Sequence, residues 1–301
     1  MLGSKLWGAP SPQVAKEFFS VSDRFGPEFF AAIEPKELLG PTALVEMIIA
    51  AREAKKPSSF IRMGDGEGNL LLDHVGLDAG MQLKAYCVDR ISYIHFGDKY
   101  VTARAGEEFL NFIVDAVESA DVIGIVGAQS IQSGFTKPQE EKDVRGIMGQ
   151  RASAALALKY KNLTDIWFNR SLLDRYDEII GGQDIVLISS YPQLSPILAK
   201  AFKATVDLIE VPTQAVFHKP SERVDTKHYP DAMNRIVNQI DPLPGQIFLV
   251  AAGLLGKMYS SLVKARGGIA IDIGSVPEIW LGIPARGLSA DYIAKWRLPD
   301  S

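Results

Sequence analysis

Two kinds of apolar segment alternate along the chain. Short runs that are apolar nearly throughout recur at Ser58–Met63, Leu83–Val88, Asp121–Gly127, Leu163–Phe168, Asp184–Ser189, Val206–Val211, Gln246–Ala251 and Gly268–Asp272. Helically spaced segments lie between most of them, at 42–55, 105–119, 143–159, 171–176, 192–202, 230–239 and 254–265. Strands that are apolar on both sides need cover on both faces, which parallel sheets obtain from crossover helices. The pattern predicts an α/β, Rossmann-like fold with a mostly parallel sheet and helices on both faces. Thr42 is the expected cap of the first long helix. Residues 1–40, broken by Pro and Gly and carrying Phe18-Phe19 and Phe29-Phe30, read as an N-terminal arm. That arm packs on the main domain or on a second copy, and residues 41–301 form a single α/β domain. Pro212–Tyr229, rich in charge, reads as a mobile surface loop.

Composition narrows the class. The chain has 301 residues, 47% hydrophobic and 23% charged, as in an ordinary globular protein. Its formal net charge of −4 lacks the basic excess of a nucleic-acid binder. No apolar run is long enough to span a bilayer, and the first ten residues lack the apolar core of a secretory signal. The only cysteine, Cys87, excludes an intramolecular disulfide and fits a reducing cytosol. Flanked by Tyr86 and Val88 in a strand-like run, it reads as a buried structural thiol. The four histidines are scattered without zinc-ligand spacing. The expected location is cytoplasmic, with peripheral association at the inner face of a membrane left open.

The candidate chemistry centres on Arg62-Met63-Gly64-Asp65-Gly66-Glu67-Gly68-Asn69, directly after the first strand. Gly64 and Gly66 let the backbone turn and approach a ligand. In an extended segment, positions i and i+2 share a side, so Asp65 and Glu67 reach one point together. Such a pair suits a hard divalent cation, Mn²⁺ or Mg²⁺, that bridges to phosphates. Asn69 is placed to cap the following Leu70-Leu71-Leu72 turn, and Arg62 is a natural diphosphate partner. Asp-Gly and Gly-Asn are also ordinary turn formers, so a plain loop accounts for the same residues.

A second glycine loop, Val250-Ala251-Ala252-Gly253-Leu254-Leu255-Gly256-Lys257, joins a strand to a helix. It matches a dinucleotide fingerprint with Ala251 at the first glycine, and Asp272 closes the next strand where a ribose-binding acid would sit. Gly253 and Gly256 would let a helix N-terminus approach a diphosphate, with Lys257 adding charge; tight helix–strand packing is the other account of them, and the strand-to-helix context favours the nucleotide. Ser189-Ser190-Tyr191-Pro192 and Gly127-Ala128-Gln129-Ser130 also follow strands. No G-x-S-x-G elbow supports a hydrolase triad. Trp280 and Trp296 read as packing residues.

Two stretches resemble the GT-D type of glycosyltransferase. Ser59-Phe60-Ile61-Arg62-Met63-Gly64-Asp65-Gly66-Glu67 is similar to the family's R-[FY]-G-D-G-E strand and loop, whose D-x-E carboxylates are implicated in metal and nucleotide-sugar binding. Ile247–Gly274, ending Ala270-Ile271-Asp272-Ile273-Gly274, is similar to its C-terminal run. The family pattern continues D-I-G-H-x-D-x-E, whereas this chain has Ser275 at the histidine and fewer acids beyond it. The resemblance implies a GT-D-like fold and a metal-dependent transfer of sugar from a nucleoside-diphosphate sugar, a UDP-sugar by preference, to a glycan, glycoprotein or lipid-linked acceptor. Asp65 and Glu67 would hold the metal, and Arg62, Gly64, Gly66, Asn69, Gly253, Gly256 and Lys257 would frame the donor. Asp65, Glu67 and Asp272 are the catalytic candidates, and Asp272 and Glu278 the candidate bases. A homo-oligomer is compatible with this reading. Two alternatives stay open: an NAD(P)-dependent oxidoreductase built on residues 250–272, and a non-catalytic nucleotide-binding scaffold.

Overall fold

The computed structural model describes residues 11–17, 38–76, 80–96, 107–126, 141–157, 159–160, 162–213, 227–284 and 288–299, without the side chains of 90, 107, 141–145 and 147. Most of the N-terminal arm, the Gly127–Ser130 loop and most of the Pro212–Tyr229 segment lie outside them. Seven strands form one sheet: β1 (Ser58–Arg62), β2 (Val122–Ile125), β3 (Leu163–Asp165), β4 (Asp184–Ser189), β5 (Thr205–Glu210), β6 (Ile247–Ala251) and β7 (Ile269–Asp272). Their order is β3-β2-β1-β7-β6-β4-β5, and every pairing is parallel.

Alternation along the strands divides the core. Ile61, Ile123, Val186, Ile188, Phe248 and Val250 face one layer. There they meet α3 (Met81–Phe96), α4 (Glu107–Ser119), α5 (Glu141–Ala157), α9 (Met233–Gln239) and α10 (Gly256–Ala265). Phe60, Val122, Ile185, Leu187, Leu249 and Ile271 face the other. That layer holds α1 (Pro41–Glu53), α7 (Tyr176–Ile180), α8 (Leu194–Phe202) and α11 (Val276–Trp280). The described elements also include the short helices α2 (Asp65–Leu70) and α6 (Phe168–Ser171), and α12 (Ala290–Trp296) near the C-terminal end. Trp280, fully buried against Tyr176 and Phe202, is the packing residue its sequence context suggested. Among the described residues no helix is long and apolar enough to cross a membrane.

Two expectations about elements are corrected, and the N-cap of α1 is Gly40, with Thr42 inside the helix. Leu83–Val88 is not a strand but the first half of α3. Leu83, Cys87 and Ile91 are all buried, and their spacing of four is a helical stripe. The thiol is buried as expected, within a helix. The second correction concerns residues 65–70, where a helix begins at Asp65, not at Asn69, with Gly64 as its N-cap. Glu67, at the third helical position, reaches back so that its Oε2 accepts the Gly64 N–H at 3.1 Å, which is half of a capping box. Asn69 is buried inside this helix and donates from Nδ2 to the Asp65 carbonyl at 2.6 Å.

The short α2 lies directly on α5. A Cβ on Gly68 would overlap the Gly149 carbonyl oxygen, and one on Gly149 would overlap the carbonyl of Asp65. The Ser153 hydroxyl adds a bond to the Gly64 carbonyl at 2.5 Å. Gly68 therefore serves backbone-to-backbone contact between helices. Gly149→Ala should cost about 1–3 kcal/mol through overpacking. Gly146→Ala, where a Cβ meets nothing within 4 Å, should be neutral or stabilise by up to about 1 kcal/mol through helix propensity. Denaturant unfolding of the two variants checks the contrast.

Candidate functional site

Parallel sheets place ligands beyond the carboxyl ends of their strands, near the point where the strand order reverses. Here β1 and β7 lie side by side at the centre, with chain order running outward from β1 through β2 and β3 on one side. A cleft of about 360 Å³ opens over these ends, and the segment following every strand contributes to its wall. Arg62, Gly64, Asp65, Gly66 and Glu67 reach it from β1, Gly253 and Lys257 from beyond β6, and Asp272 from β7. Glu278 lines it as well. Two expected site residues do not reach the cleft. Asn69 is buried under α2, and Gly256 lets α10 pack onto β6, a Cβ there meeting Val250 at 3.4 Å. Gly253 takes φ +58°, a conformation that suits glycine.

At the cleft floor lies a chain of four charges. The Lys257 ammonium donates to Asp272 Oδ2 at 2.6 Å and pairs with Glu67 Oε1 at 3.0 Å. Asp272 Oδ1 takes Arg62 Nε at 3.3 Å and the Gly274 N–H at 3.0 Å. Arg62 Nη1 continues to Asn169 Oδ1 at 3.3 Å, and Asn169 Nδ2 donates to the Ile273 carbonyl at 2.6 Å. Gly274, at φ +49°, is where the chain passes the Arg62 guanidinium, and a Cβ there would overlap Nη2. Lys257 and Asp272 are almost fully buried. Burial works to neutralise each group, yet the partners prevail. Against burial, the largest single influence, Lys257 and the backbone N–H that Glu67 accepts together hold the Glu67 carboxyl below its usual range. Lys257 and Arg62 do the same for Asp272, while Asp272 and Glu67 raise Lys257. All are held charged, and two cations balance two anions.

This arrangement changes the roles expected of four residues. Lys257 points at two carboxylates, which fix its ammonium at the cleft floor. Asp272, proposed as a ribose acid or a general base, has both oxygens engaged. Asp65 and Glu67 do not share one side of an extended segment: in a helix, positions two apart differ by about 200° around the axis. Both Glu67 oxygens are engaged as well. The residues therefore do not fit a cation gripped by the Asp65–Glu67 pair, and among the described residues no group of three or more His, Cys, Asp or Glu is placed to hold a metal ion.

Of the other residues at the cleft, Trp167 and its neighbour Arg170 are not singled out in the sequence, whereas Tyr191 and Glu278 are. Trp167, 41% exposed just beyond β3, has the Arg170 guanidinium 4.1 Å from its ring centre. Arg170 Nη2 in turn donates to Ser275 Oγ at 3.1 Å. An aromatic immediately after a strand end was the available clue. On the opposite wall Tyr191 hydrogen-bonds Glu278, and burial together with that carboxylate pushes its phenol up to about 12. Behind the cleft, His228 is buried with a ring nitrogen 2.9 Å from the Tyr259 hydroxyl. Burial, aided by His95 and Arg235, pulls His228 down to about 3.

Two measurements follow. Asp272→Asn leaves two buried cations facing one carboxylate, and should cost about 3–5 kcal/mol at neutral pH in denaturant unfolding. His228 supplies a pH signature. Below pH 6.5 the unfolded chain binds a proton there that the folded chain refuses until about pH 3. Stability is therefore full above this window and falls as pH drops through it, by about 1.4 kcal/mol per pH unit for this group. His228→Gln should remove that share of the slope between about pH 6 and 4.5, since the depressed carboxylates contribute only below their ordinary range, about pH 4.

No curated protein and no solved structure is similar enough to match the chain. A family model described as a GT-D fold-like domain matches residues 39–280, the span from the start of α1 to the end of α11. With the all-parallel sheet and the cleft over its strand ends, that match places the chain in the GT-D-like family.

Proposed function

We propose that the protein is a glycosyltransferase that takes a sugar from a nucleoside-diphosphate sugar and passes it to a hydroxyl of a glycan, glycoprotein or lipid-linked acceptor. The observation that carries this reading is the convergence of the D-x-E segment, Lys257 and Asp272 on one cleft in a chain of the GT-D-like family. Arg62 and Lys257 line that cleft and supply positive charge where a leaving diphosphate needs it. Glu67 and Asp272 hold those two cations in place and are positioning residues. Asp65 and Glu278, which also line the cleft, are the carboxylates assigned to the reacting groups. Glu278, hydrogen-bonded by Tyr191, is the one assigned to take the acceptor proton. Trp167, with Arg170 behind it, offers a flat apolar face at the rim for a sugar or base.

The dinucleotide reading is weaker on the same geometry, because its ribose acid, Asp272, is committed to Arg62, Lys257 and the Gly274 N–H.

A thermal-shift panel of UDP-, GDP- and CMP-sugars and NADH, each with Mn²⁺ and with EDTA, tests the proposal. A nucleotide sugar at a hundred times its Kd should stabilise the fold by about 2.7 kcal/mol. Asp65→Asn should keep the wild-type melting temperature and lower donor hydrolysis by about tenfold or more, a transition-state loss of at least about 1.4 kcal/mol. A shift with NADH and none with any nucleotide sugar overturns the assignment.

A further inference from the structure

The D-x-E motif of the family implies a divalent cation, and the side chains of this chain answer that requirement in another way. We infer that the Lys257 ammonium occupies the place of that cation, so that donor binding at this cleft needs no divalent metal; the inference rests on the reading of the cleft as a nucleotide-sugar site.

The geometry supports it from three directions. The space between the Glu67 and Asp272 carboxylates is filled by Lys257 Nζ, 3.0 Å from one and 2.6 Å from the other. A cation entering there would first have to expel an ammonium that is itself almost fully buried. The lysine stem leaves from the second residue of α10 and is buried along with that turn of the helix, so the ammonium is held where the helix places it. Charge gives the second argument. Glu67 and Asp272 against Lys257 and Arg62 sum to zero, so no net negative charge remains in the buried cluster to attract a divalent ion. Coordination gives the third. The second oxygen of Glu67 is held by the Gly64 N–H, and that of Asp272 by Arg62 and the Gly274 N–H. Asp65 lines the cleft on a different side of α2 and does not complete a pair with Glu67.

The consequence is a division of labour inside the motif. Glu67 acts through Lys257, fixing the ammonium at the cleft floor. Asp65 faces the donor and accepts hydrogen bonds from its hydroxyls. The positive charge that meets the diphosphate is covalently part of the chain.

The test uses the full chain with Mn²⁺ alone and with UDP and GDP as probes. Titration of each nucleotide by calorimetry in EDTA and in Mn²⁺ should give affinities within about twofold of each other, well below the tenfold that 1.4 kcal/mol would produce. Tenfold or greater tightening by Mn²⁺ overturns the inference. In parallel, the electron paramagnetic resonance signal of free Mn²⁺ should be undiminished by the wild-type protein. Uptake that disappears in Glu67→Gln or Asp65→Asn also overturns it; uptake unchanged by both lies elsewhere, and the nucleotide titration then decides. Lys257→Met removes one positive charge and vacates the space between the carboxylates, and this variant should gain Mn²⁺ uptake that the wild type lacks. If that variant does not fold, the wild-type and Glu67→Gln titrations still decide the matter. Should neither nucleotide nor any nucleotide sugar bind under either condition, the glycosyltransferase reading fails, while the Mn²⁺ titrations still judge the role of Lys257.

Discussion

The pairing of Lys257 with Glu67 and Asp272 is the interaction on which the centre of the molecule depends. It joins four separate pieces of chain: the end of β1 through Arg62, the first turn of α2 through Glu67, the first turn of α10 through Lys257, and the end of β7 through Asp272. Removing charges from water costs several kcal/mol per ion, and only a closed set of partners repays it. Here the set is closed. Each carboxylate also accepts a backbone N–H, Glu67 from Gly64 and Asp272 from Gly274, so the cluster fixes the loops after β1 and β7 as well as the helices. β1 and β7 are the central, adjacent strands. The cluster thus ties together the two halves of the sheet where its strand order turns.

Glycine does complementary work at close quarters. Gly274 leaves room for the Arg62 guanidinium, and Gly68 and Gly149 let α2 rest on α5 with backbone against backbone. The three glycines of Gly64-Asp65-Gly66-Glu67-Gly68 first suggest a chain freed to approach a ligand. In the folded protein they are divided between tasks. Gly64 is an N-cap, Gly66 lies against His95 and Ile91 at the cleft wall, and Gly68 is a helix contact. Flexibility in the sequence has become close packing in the structure.

The sheet was legible because parallel strands covered on both faces are apolar at nearly every position, and seven such runs become strands. The eighth, Leu83–Val88, misled because a six-residue apolar run does not state its period. Reading four residues further to Ile91 exposes the helical stripe of Leu83, Cys87 and Ile91. The gathering of Asp65, Glu67, Gly253, Lys257 and Asp272 at one cleft was legible from strand-to-helix junctions alone, since the topology of parallel sheets sends all such junctions to one edge. What each side chain does there was not. Whether Glu67 binds an ion or closes its own helix depends on φ and ψ at Asp65, and whether Lys257 faces outward or inward depends on which carboxylates lie beneath α10. Asn169 and Ser153, which complete the network through Arg62 and the Gly64 carbonyl, carry nothing in sequence to mark them.

A buried carboxylate pair requires positive charge, and the source of that charge decides how the site behaves. A metal ion arrives from solution, so its occupancy varies with concentration, with chelators and with the protonation of its ligands. A lysine delivered by a helix is present whenever the helix is folded, and its occupancy is part of folding itself. The raised proton affinity of Lys257 and the lowered affinities of Glu67 and Asp272 are one interaction seen from both sides. With the ammonium in place the cluster is neutral, and it presents its cations to the cleft only as strongly as its carboxylates allow. Asp65, on the far side of the same helical turn, lines the cleft outside this cluster. The motif that reads as one chelating unit along the sequence is, across the turn of α2, two carboxylates with different work.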